Sequence, residues 1–461
     1  MKNTSDKILT QGSILKALVR LSIPLILTNI LQSAYNLTDT FWVGRLGSAA
    51  VSAVSLSFPI IFIMISLGIG IAIAGSILVA KAKGAQDNDS LAHIATQTVF
   101  SVVTFSVFLS IIGYFATPYI VGVMKVEPSV YNDAVAYLKI SFLGMTPMFL
   151  FIVFQSLMKS IGEVKLPLYI VLSTVLLNLI LDPLFIFGWQ GHFEGNGVKG
   201  AAIATVFTQL LAAGISLYFL SKGHKGIQIK LKDYAPDKAV IKTLVKLGVP
   251  VSIEQISRSV GIFAMLFLVT GFGTMALASY GIGSRILSFI IIPAFGLGMA
   301  TATLVGQNLG AEKPERVKKT IRLSLFIAFG VMNILGLLIY IFASSVAHFF
   351  IPNEPETIKQ SAVFIRHIAV SFGFMGILIV LVGAFRGAGK TKMSMLLTIF
   401  SVWIIRFPLA YILSEFTDMK EIGIWISYPT TNILTALVGL GLLFKYQWLQ
   451  NEKGLDIKKR S

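Results

Sequence analysis

Polar side chains recur along one face of the apolar stretch PLILTNILQSAYNLTDTFW at 24–42. In a helix they would lie on one side, with leucine, isoleucine and phenylalanine on the other. The stripe consists of Thr28, Gln32, Tyr35 and Asp39, flanked by Asn29 and Asn36. Because a carboxylate at lipid depth is costly, such a stripe usually faces a bundle interior or a wet cavity and marks a pathway. The alternative is that its amides and hydroxyls only join neighbouring helices by hydrogen bonds.

A second acidic position lies in the stretch LNLILDPLFIFGW at 177–189. Asn178 and Asp182 are four residues apart and therefore share a helical face. Pro183 removes a backbone donor and crowds the preceding turn, so we expect a kink that frees a carbonyl oxygen. Carboxylate, amide and carbonyl oxygens together suit a proton or a small hard cation. The alternative is a kinked packing helix whose acid lies at the external helix end, in headgroups or water.

Two further polar residues fall in neighbouring apolar runs. Thr205 ends the small-residue run GVKGAAIAT, which permits close helix packing. Gln155 is a second candidate for an inward-facing position. For both residues, simple hydrogen bonding between helices is the alternative.

The second half of the chain carries different charges. Glu254 and Arg258 are four residues apart, which favours an internal pair that neutralises itself. Arg285 and Arg406 are placed to snorkel towards headgroups or to line a cavity. None of the five histidines stands at ligand spacing with another histidine or an acid within a span.

The composition is that of an integral membrane protein. Hydrophobic residues make up 55% of the 461 and charged residues 13%, whereas a soluble domain carries roughly 25% charged residues. The mean hydropathy is +0.81. No cysteine is present, which excludes disulfides, thiolate catalysis and cysteine-built metal sites. Apolar runs of membrane-spanning length predict twelve segments, at 14–40, 50–77, 93–117, 135–159, 166–188, 199–221, 245–271, 277–307, 321–345, 363–384, 393–414 and 423–445.

The formal net charge of +17 is explained by topology, because basic residues crowd alternate connectors. By the positive-inside rule both termini and the central linker are cytoplasmic, in a multi-pass protein of the plasma (inner) membrane. Anionic lipid headgroups are a secondary partner, whereas no nucleic-acid partner is expected, since nothing resembles a binding domain for one. The predicted domains are an N-lobe at 1–221, a cytoplasmic linker at 222–243, a C-lobe at 244–447 and a basic cytoplasmic tail at 448–461.

The two halves of the chain are copies of one unit. LVRLSIP at 18–24 recurs as LVKLGVP at 244–250, a shift of 226, and similar shifts relate further motifs. Duplication of a six-helix unit puts both copies into the membrane from the same side, related by an axis along its normal. At these shifts the acids have no acidic counterparts, so chemistry that needs them belongs to the first copy. The pairs are Asp39 with Met265, Asn178 with Trp403 and Asp182 with Phe407.

With LVRLSIP, YNLTDTFWVGRLG, NLILDPLFIFG and the G–AAxAT run, the chain resembles the multidrug and toxic compound extrusion (MATE) transporters over nearly its whole length. The nearest branch is the prokaryotic one related to DinF-type proteins. The resemblance implies an all-α integral membrane protein of twelve transmembrane helices, in two six-helix lobes around a V-shaped cavity. It also implies alternating-access antiport, in which lipophilic or cationic drugs and metabolites leave in exchange for H⁺ or Na⁺.

The resemblance assigns roles to particular residues. The cation-coupling site, for H⁺ or Na⁺, falls on Asp39, Asn178, Asp182 and Thr205. The predicted substrate cavity consists of Tyr35, Asn36 and Gln155, together with Gln32 of the stripe and Met265, the counterpart of Asp39. Gln155 replaces the asparagine of some members. Another branch has a carboxylate pair in the second lobe, but here Glu254 lies about one turn away and lacks a partner acid, so no cation site is expected there.

Other classes of function remain as alternatives. A flippase for a lipid-linked oligosaccharide shares the duplicated architecture and needs a cationic cavity, for which Arg258, Arg285 and Arg406 are available. An enzyme is not expected, because the sequence has no HExxH, aspartate-rich diphosphate motif or Ser/His dyad at helical spacing. A channel is not expected either, since no filter-like repeat or charged ring occurs. We expect a monomer with no cofactor other than the coupling ion.

Overall fold

The computed structural model of the chain describes residues 9–189, 193–224, 226–229 and 235–445. Within these ranges the protein is almost entirely helical, as expected for a chain whose backbone must satisfy its own hydrogen bonds in lipid. A two-residue antiparallel pairing joins Gly188–Trp189 to Phe193–Glu194, labelled β1 and β2. The basic tail predicted at 448–461 lies outside the described residues, as do linker residues 225 and 230–234.

The first copy of the repeat forms seven helices. They follow the predicted apolar runs because those runs contain few residues that favour other conformations. The helices are α1 (Ile14–Gly44), α2 (Ser48–Gly84), α3 (Asn88–Val123), α4 (Pro128–Leu143), α5 (Met145–Ser160), α6 (Lys165–Phe187) and α7 (Gly197–Lys222).

The helices of the second copy follow the same order, but more of its spans are divided into separate helices. It also contains a seven-residue π-helix, Phe400–Arg406, which the sequence analysis does not predict. Its α-helices are α8 (Lys238–Thr270), α9 (Gly273–Ile290), α10 (Ile292–Gly310), α11 (Pro314–Ile341), α12 (Ala343–Phe350), α13 (Pro355–Ala369), α14 (Phe372–Gly387), α15 (Thr391–Ile399), α16 (Phe407–Glu415) and α17 (Glu421–Lys445).

Among the described residues, helix length and composition agree with the prediction of twelve spans. Ten spans are long and apolar enough by themselves, and two bent helix pairs complete the set when each pair is one span. The α4–α5 pair is bent by 48° and the α13–α14 pair by 52°. Corresponding helices in these pairs begin 227 residues apart, so the same bend occurs at the same place in both copies. The six-helix repeat is therefore structural as well as sequential.

The chain forms two compact units, whose limits fall inside helices. One consists of Leu27–Ser252 and is called the N-terminal unit; the other consists of the chain up to Ile26 with the chain from Ile253 onward, and is called the C-terminal unit. Packing thus divides α1 after residue 26 and α8 after residue 252. The lobe boundaries read from the sequence concern the connectors and stay a prediction.

Each unit has its own apolar core. That of the N-terminal unit is built around Phe142, Phe149 and Phe154. That of the C-terminal unit contains Phe364 and Trp425, whose ring centroids lie 4.2 Å apart. Large apolar side chains also cover the outside of both units, which is expected of a surface that faces lipid.

Candidate cation site

Asp39 lies on α1, five residues before the helix ends, and its side chain is buried in the N-terminal unit. Only 6% of the residue is exposed, although α1 carries many exposed apolar side chains. The carboxylate oxygen Oδ1 is buried and has no hydrogen-bond partner in the described part of the chain. The polar stripe thus places its acid inside the protein and away from lipid.

Asn178 and Asp182 lie on α6, and neither has any exposed surface. The Asn178 Nδ2 atom donates a hydrogen bond of 2.7 Å to Asp182 Oδ1, as their spacing on one helical face allows. The helix continues through Pro183 to Phe187. Because Asp182 is fully buried, the alternative that it is solvated at the external helix end is wrong.

Helices α1 and α6 both carry buried side-chain oxygens that lack a hydrogen-bond partner among the described residues. Asn178 Oδ1 and Asp182 Oδ2, like Asp39 Oδ1, are buried without a hydrogen-bond partner among the described residues. The two helices meet about one turn further on, where the Trp42 and Phe187 ring centroids lie 6.2 Å apart, so Asp39 and Asp182 lie in the same region of the unit. Neither forms an ion pair with a described lysine, arginine or histidine. Two carboxylates and one amide therefore form an oxygen cluster without a cationic side chain.

Tyr35 links this cluster to α7. Its hydroxyl lies 3.3 Å from Thr208 Oγ1, which itself donates a hydrogen bond of 2.9 Å to the Thr205 carbonyl oxygen. The Tyr35 hydroxyl is therefore the donor to Thr208. The predicted site residue Thr205 thus connects through its backbone carbonyl and Thr208 to a tyrosine that the sequence analysis assigned to the substrate cavity.

Two members of this site were missed by sequence reasoning. Thr208 is 1% exposed and stands three residues after Thr205, on the same face of α7, so its spacing was an available signal. Tyr137, on α4, is buried in the cluster that also contains Val43 of α1 and Ile186 of α6. Its position in the sequence carries no polar periodicity that would single it out.

Close packing of α6 against α7 holds the two sides of the site together. A Cβ atom on Gly200 would overlap the carbonyl oxygen of Phe185, so only glycine fits at this crossing. The backbone N–H of Asn196 donates a hydrogen bond of 2.9 Å to the same carbonyl oxygen. The small-residue run that ends at Thr205 therefore permits the close helix packing predicted for it.

The five residues predicted to line the substrate cavity have different environments. Gln32 and Asn36 are exposed, whereas Tyr35 and Gln155 are half-buried. Gln155 Nε2 is buried without a hydrogen-bond partner among the described residues. Met265 belongs to the C-terminal unit, where it packs in the apolar core. The cavity assignments stay predictions.

The predicted pair of Glu254 and Arg258 is present in the C-terminal unit, but it is not the main contact of the acid. Arg258 Nη2 lies 3.5 Å from Glu254 Oε1, whereas Arg386 Nη2 lies 3.0 Å from the same oxygen. Arg386 Nε also lies 3.3 Å from Oε2, so the guanidinium grips both oxygens. The hydroxyls of Ser394 and Thr398 donate to the carboxylate as well, at 2.9 and 3.2 Å. Both oxygens of Glu254 therefore have partners, and the expectation that no cation site lies here stays a prediction.

Known proteins resemble this chain over almost all of its length. The MatE family model matches it twice, at residues 24–184 and 250–412, and these matches begin 226 residues apart, as the internal repeat does. The probable multidrug resistance protein YoeA of Bacillus subtilis is 29% identical over 460 residues, which cover 98% of this chain and 99% of YoeA. The probable multidrug resistance protein NorM of Thermotoga maritima is 28% identical over a match that covers 94% of this chain and 93% of NorM.

Solved structures agree with these sequence matches. A MATE protein crystallised in complex with MaL6 superposes with a TM-score of 0.91 at 26% identity, covering 98% of this chain and 100% of the other.

Proposed function

This chain belongs to the MatE family of multidrug and toxic compound extrusion transporters, and on that premise we propose that it is a secondary antiporter. It exports lipophilic or cationic drugs or metabolites in exchange for H⁺ or Na⁺. The family consists of membrane transporters and not of enzymes, and the relatives carry the names of multidrug resistance proteins. Those names support drug efflux over the lipid-linked oligosaccharide flippase.

The oxygen cluster of the N-terminal unit is the observation that carries this proposal. Transfer of an ionised carboxylate from water into a protein interior costs several kcal/mol unless a counter-charge is present. Asp39 and Asp182 are both buried and have no ion pair with any described basic side chain. A proton or Na⁺ bound between them would supply the missing positive charge. Three unpaired oxygens supply ligands of the type that hard cations prefer.

The positions of these residues provide a route from cation binding to substrate movement. Asp39 is on α1 and Asp182 is on α6, so a cation shared by both draws these two helices together. Tyr35, one turn before Asp39, is held to α7 through a hydrogen bond with Thr208. A shift of α1 therefore changes the surface that Tyr35 and Asn36 present to a substrate. Cation binding from one side of the membrane and release to the other then couples the two fluxes.

The driving force is adequate for such an exchange. One elementary charge that crosses a potential of 100 mV releases about 2.3 kcal/mol. At about 1.4 kcal/mol per decade, this supports a substrate gradient of roughly fortyfold before any ion gradient is added.

The coupling is tested by transport in proteoliposomes that contain the purified protein. Ethidium is the transported dye, and an imposed pH gradient and an imposed Na⁺ gradient are compared. We expect one of the two gradients to drive ethidium movement and Asp39→Asn to abolish it. Asp89→Asn, which neutralises an exposed acid at the start of α3, is the matched control and should transport normally. Wild-type exchange by Asp39→Asn would refute the site, and exchange driven by neither gradient would refute the antiport.

Membrane orientation is part of the proposal: both termini face the cytoplasm, and the protein acts as a monomer in the plasma membrane. The chain has no cysteine, so single cysteines can be labelled without background. A membrane-impermeant maleimide should label Asp418→Cys in intact cells and Lys392→Cys only after lysis. The opposite pattern would contradict the orientation.

A further inference from the structure

Two arginines contact one buried acid in the C-terminal unit, and a third comes from a neighbouring helix. Between residues 253 and 445, Glu254 is the one carboxylate that is more than a turn away from a helix end. Arg258 shares its helix, Arg386 comes from α14, and Arg406 ends the π-helix. Trp403 Nε1 of the π-helix donates a hydrogen bond of 2.8 Å to Ser257 Oγ, so Arg406 and Arg258 lie on neighbouring helices. The group therefore carries more positive charge than one glutamate can balance.

A single arginine, Arg386, makes the closest ion pair with Glu254. Arg386 contacts both carboxylate oxygens, at 3.0 and 3.3 Å, and two hydroxyls occupy further acceptor positions. Arg258 reaches the carboxylate only at 3.5 Å, the outer limit of a hydrogen bond. Its guanidinium otherwise lies 5.7 Å from the centroid of the Phe295 ring. Arg258 is therefore weakly neutralised.

Arg406 has no acidic partner at all among the described residues. Its Nη2 donates a hydrogen bond of 3.0 Å to Asn432 Oδ1, and its guanidinium lies 4.6 Å from the centroid of the Tyr428 ring. Its Nε is buried without a hydrogen-bond partner in the described part of the chain. A neutral amide and an aromatic face are dipolar partners, and neither cancels a full charge.

The residues around Arg406 are themselves held in place. Asn432 Nδ2 donates to Ser371 Oγ at 3.0 Å, which fixes the amide so that its oxygen faces the arginine. The hydroxyls of Tyr428 and Tyr280 lie 3.1 Å apart. This side of the unit is therefore a preorganised polar surface around an unbalanced cation, and it does not need to rearrange to keep the guanidinium in position.

Arg258 and Arg406 lie far from the ends of their helices, so their incompletely balanced positive charge is costly in a membrane. Arg406 stands nine residues before Glu415, the last residue of α16, which is roughly 13 Å along a helix. Arg258 stands twelve residues before the end of α8, which is roughly 18 Å. Cations at such positions in membrane proteins are rare, and they normally pair with a group of opposite charge or mark a pathway.

We propose that Arg258 and Arg406, with Asn432, form a binding site for an anionic group, a phosphate or a carboxylate, in the C-terminal unit. Planar guanidinium groups match the geometry of both anions and bind them more strongly than they bind neutral acceptors. The anionic group belongs either to a small organic solute or to a lipid headgroup. The proposal concerns binding and does not depend on the cation coupling of the N-terminal unit.

The test uses two fluorescent probes that differ only in the anionic group. Flavin mononucleotide carries a phosphate ester, and riboflavin is the same flavin without it. Binding to the full chain is measured by fluorescence titration in nanodiscs of phosphatidylcholine. We expect flavin mononucleotide to bind at least tenfold more tightly than riboflavin, and inorganic phosphate to compete with it. Equal binding of the two probes would overturn the proposal.

Variants locate the anion on the protein. Arg406→Gln should reduce the preference for flavin mononucleotide to less than threefold, and Arg406→Lys should retain part of it. Arg322→Gln removes an exposed arginine from α11 of the same unit and should leave the preference unchanged. A full preference in Arg406→Gln would overturn the proposal. If that variant does not fold, Arg258→Gln is measured in the same way.

A change of lipid separates the two sources of the anion. If nanodiscs of phosphatidylglycerol suppress the binding of flavin mononucleotide to the wild type but not the binding of ethidium, a lipid headgroup occupies the site. If the binding persists, the site is open to small organic anions. Both results support an anion site, and failure of the proposed antiport in proteoliposomes would leave either of them unaffected.

Discussion

The fifth span of the first copy and its counterpart in the second show how one scaffold acquires opposite chemistry. The first is the continuous helix α6, with Asn178 and Asp182 facing the interior. The second is divided into α15, the π-helix and α16, and it has Trp403 and Phe407 at the corresponding positions. Asp39 and Asp182 have no cationic partner among the described residues, whereas Glu254 of the second copy contacts two arginines. Duplication preserved the bends of the α4–α5 and α13–α14 pairs, but neither the continuity nor the charges of this span.

This difference separates a site for a mobile ion from a structural ion pair. Asp39 and Asp182 keep buried oxygens without partners, so they gain free energy when a cation arrives. Glu254 has its charge neutralised by Arg386 and its oxygens occupied by hydroxyls, so it gains little from any further ligand. The buried acids of the two units should therefore respond in opposite ways to neutralisation.

The largest effect is expected for Asp182→Asn. The substitution keeps the shape of the side chain and an oxygen that accepts the bond from Asn178, but it removes the charge that the coupling cation needs. Ethidium export by energised vesicles should fall to the level of vesicles without the protein. The midpoint of thermal unfolding should stay equal or rise, because a buried charge without a counter-charge is lost. A marked fall in that midpoint would show that Asp182 is structural, and the contrast with Glu254 would then fail.

The next effect is expected for Glu254→Gln. Loss of this charge leaves Arg386 buried beside a neutral amide, and breaking a buried ion pair from one side typically costs about 3–5 kcal/mol. We expect less folded protein and a lower midpoint of thermal unfolding, measured in the same detergent as Asp182→Asn. If both neutral variants kept the unfolding midpoint of the wild type, the proposed difference between Asp182, which has no counter-charge, and Glu254, which has an ion pair, would be wrong.

A smaller effect is expected where α6 and α7 cross in the N-terminal unit. Gly200→Ala forces a methyl group against the Phe185 carbonyl, and overpacking of this kind costs about 1–3 kcal/mol. Gly214→Ala is the matched control on α7, because nothing lies within 4 Å of its new Cβ atom. Gly200→Ala should lower the unfolding midpoint and ethidium export, and Gly214→Ala should lower neither. Equal behaviour of the two variants would show that close approach of these helices does not support the site.

The smallest effect is expected for Asp237, an acid of the N-terminal unit outside the membrane spans. A hydrogen bond of 3.0 Å from His93 lowers the pKa of this carboxyl group, which also accepts bonds from the Ala239 and Val240 amides. Asn at this position still caps the helix, so Asp237→Asn removes only the charge, worth about 0.2–1 kcal/mol in exposed pairs.

The sign of its pH dependence follows from the lowered pKa. The stabilisation by ionised Asp237 is complete above the pKa of the unfolded chain, about 3.9, and is lost as the pH falls through the lower folded value. Unfolding midpoints of the wild type and Asp237→Asn should therefore differ at pH 7 and converge below about pH 4. A difference that grows on acidification would contradict this assignment.

Much of the candidate site was predictable because each part of it lies within one helix. The spacing of Tyr35 and Asp39, and that of Asn178 and Asp182, defines which residues share a face. What spacing within a helix cannot give is the rotation of one helix against another. Tyr137 and Thr208 became members of the site through that rotation, and Arg386 became the partner of a glutamate 132 residues away.

The sequence by itself determined twelve membrane-crossing segments, their duplication and the copy that holds the unpaired acids. The thickness of the hydrocarbon core fixes the length of a span, and repeated motifs show which positions of the two copies correspond. Both features can therefore be read along the chain without knowledge of tertiary contacts. Only the tertiary structure decided which acid is neutralised, where α1 and α8 change from one packing unit to the other, and that Arg406 lacks an acidic partner among the described residues. These features depend on contacts between distant helices, whose close packing sets the distances between charges and so their energies.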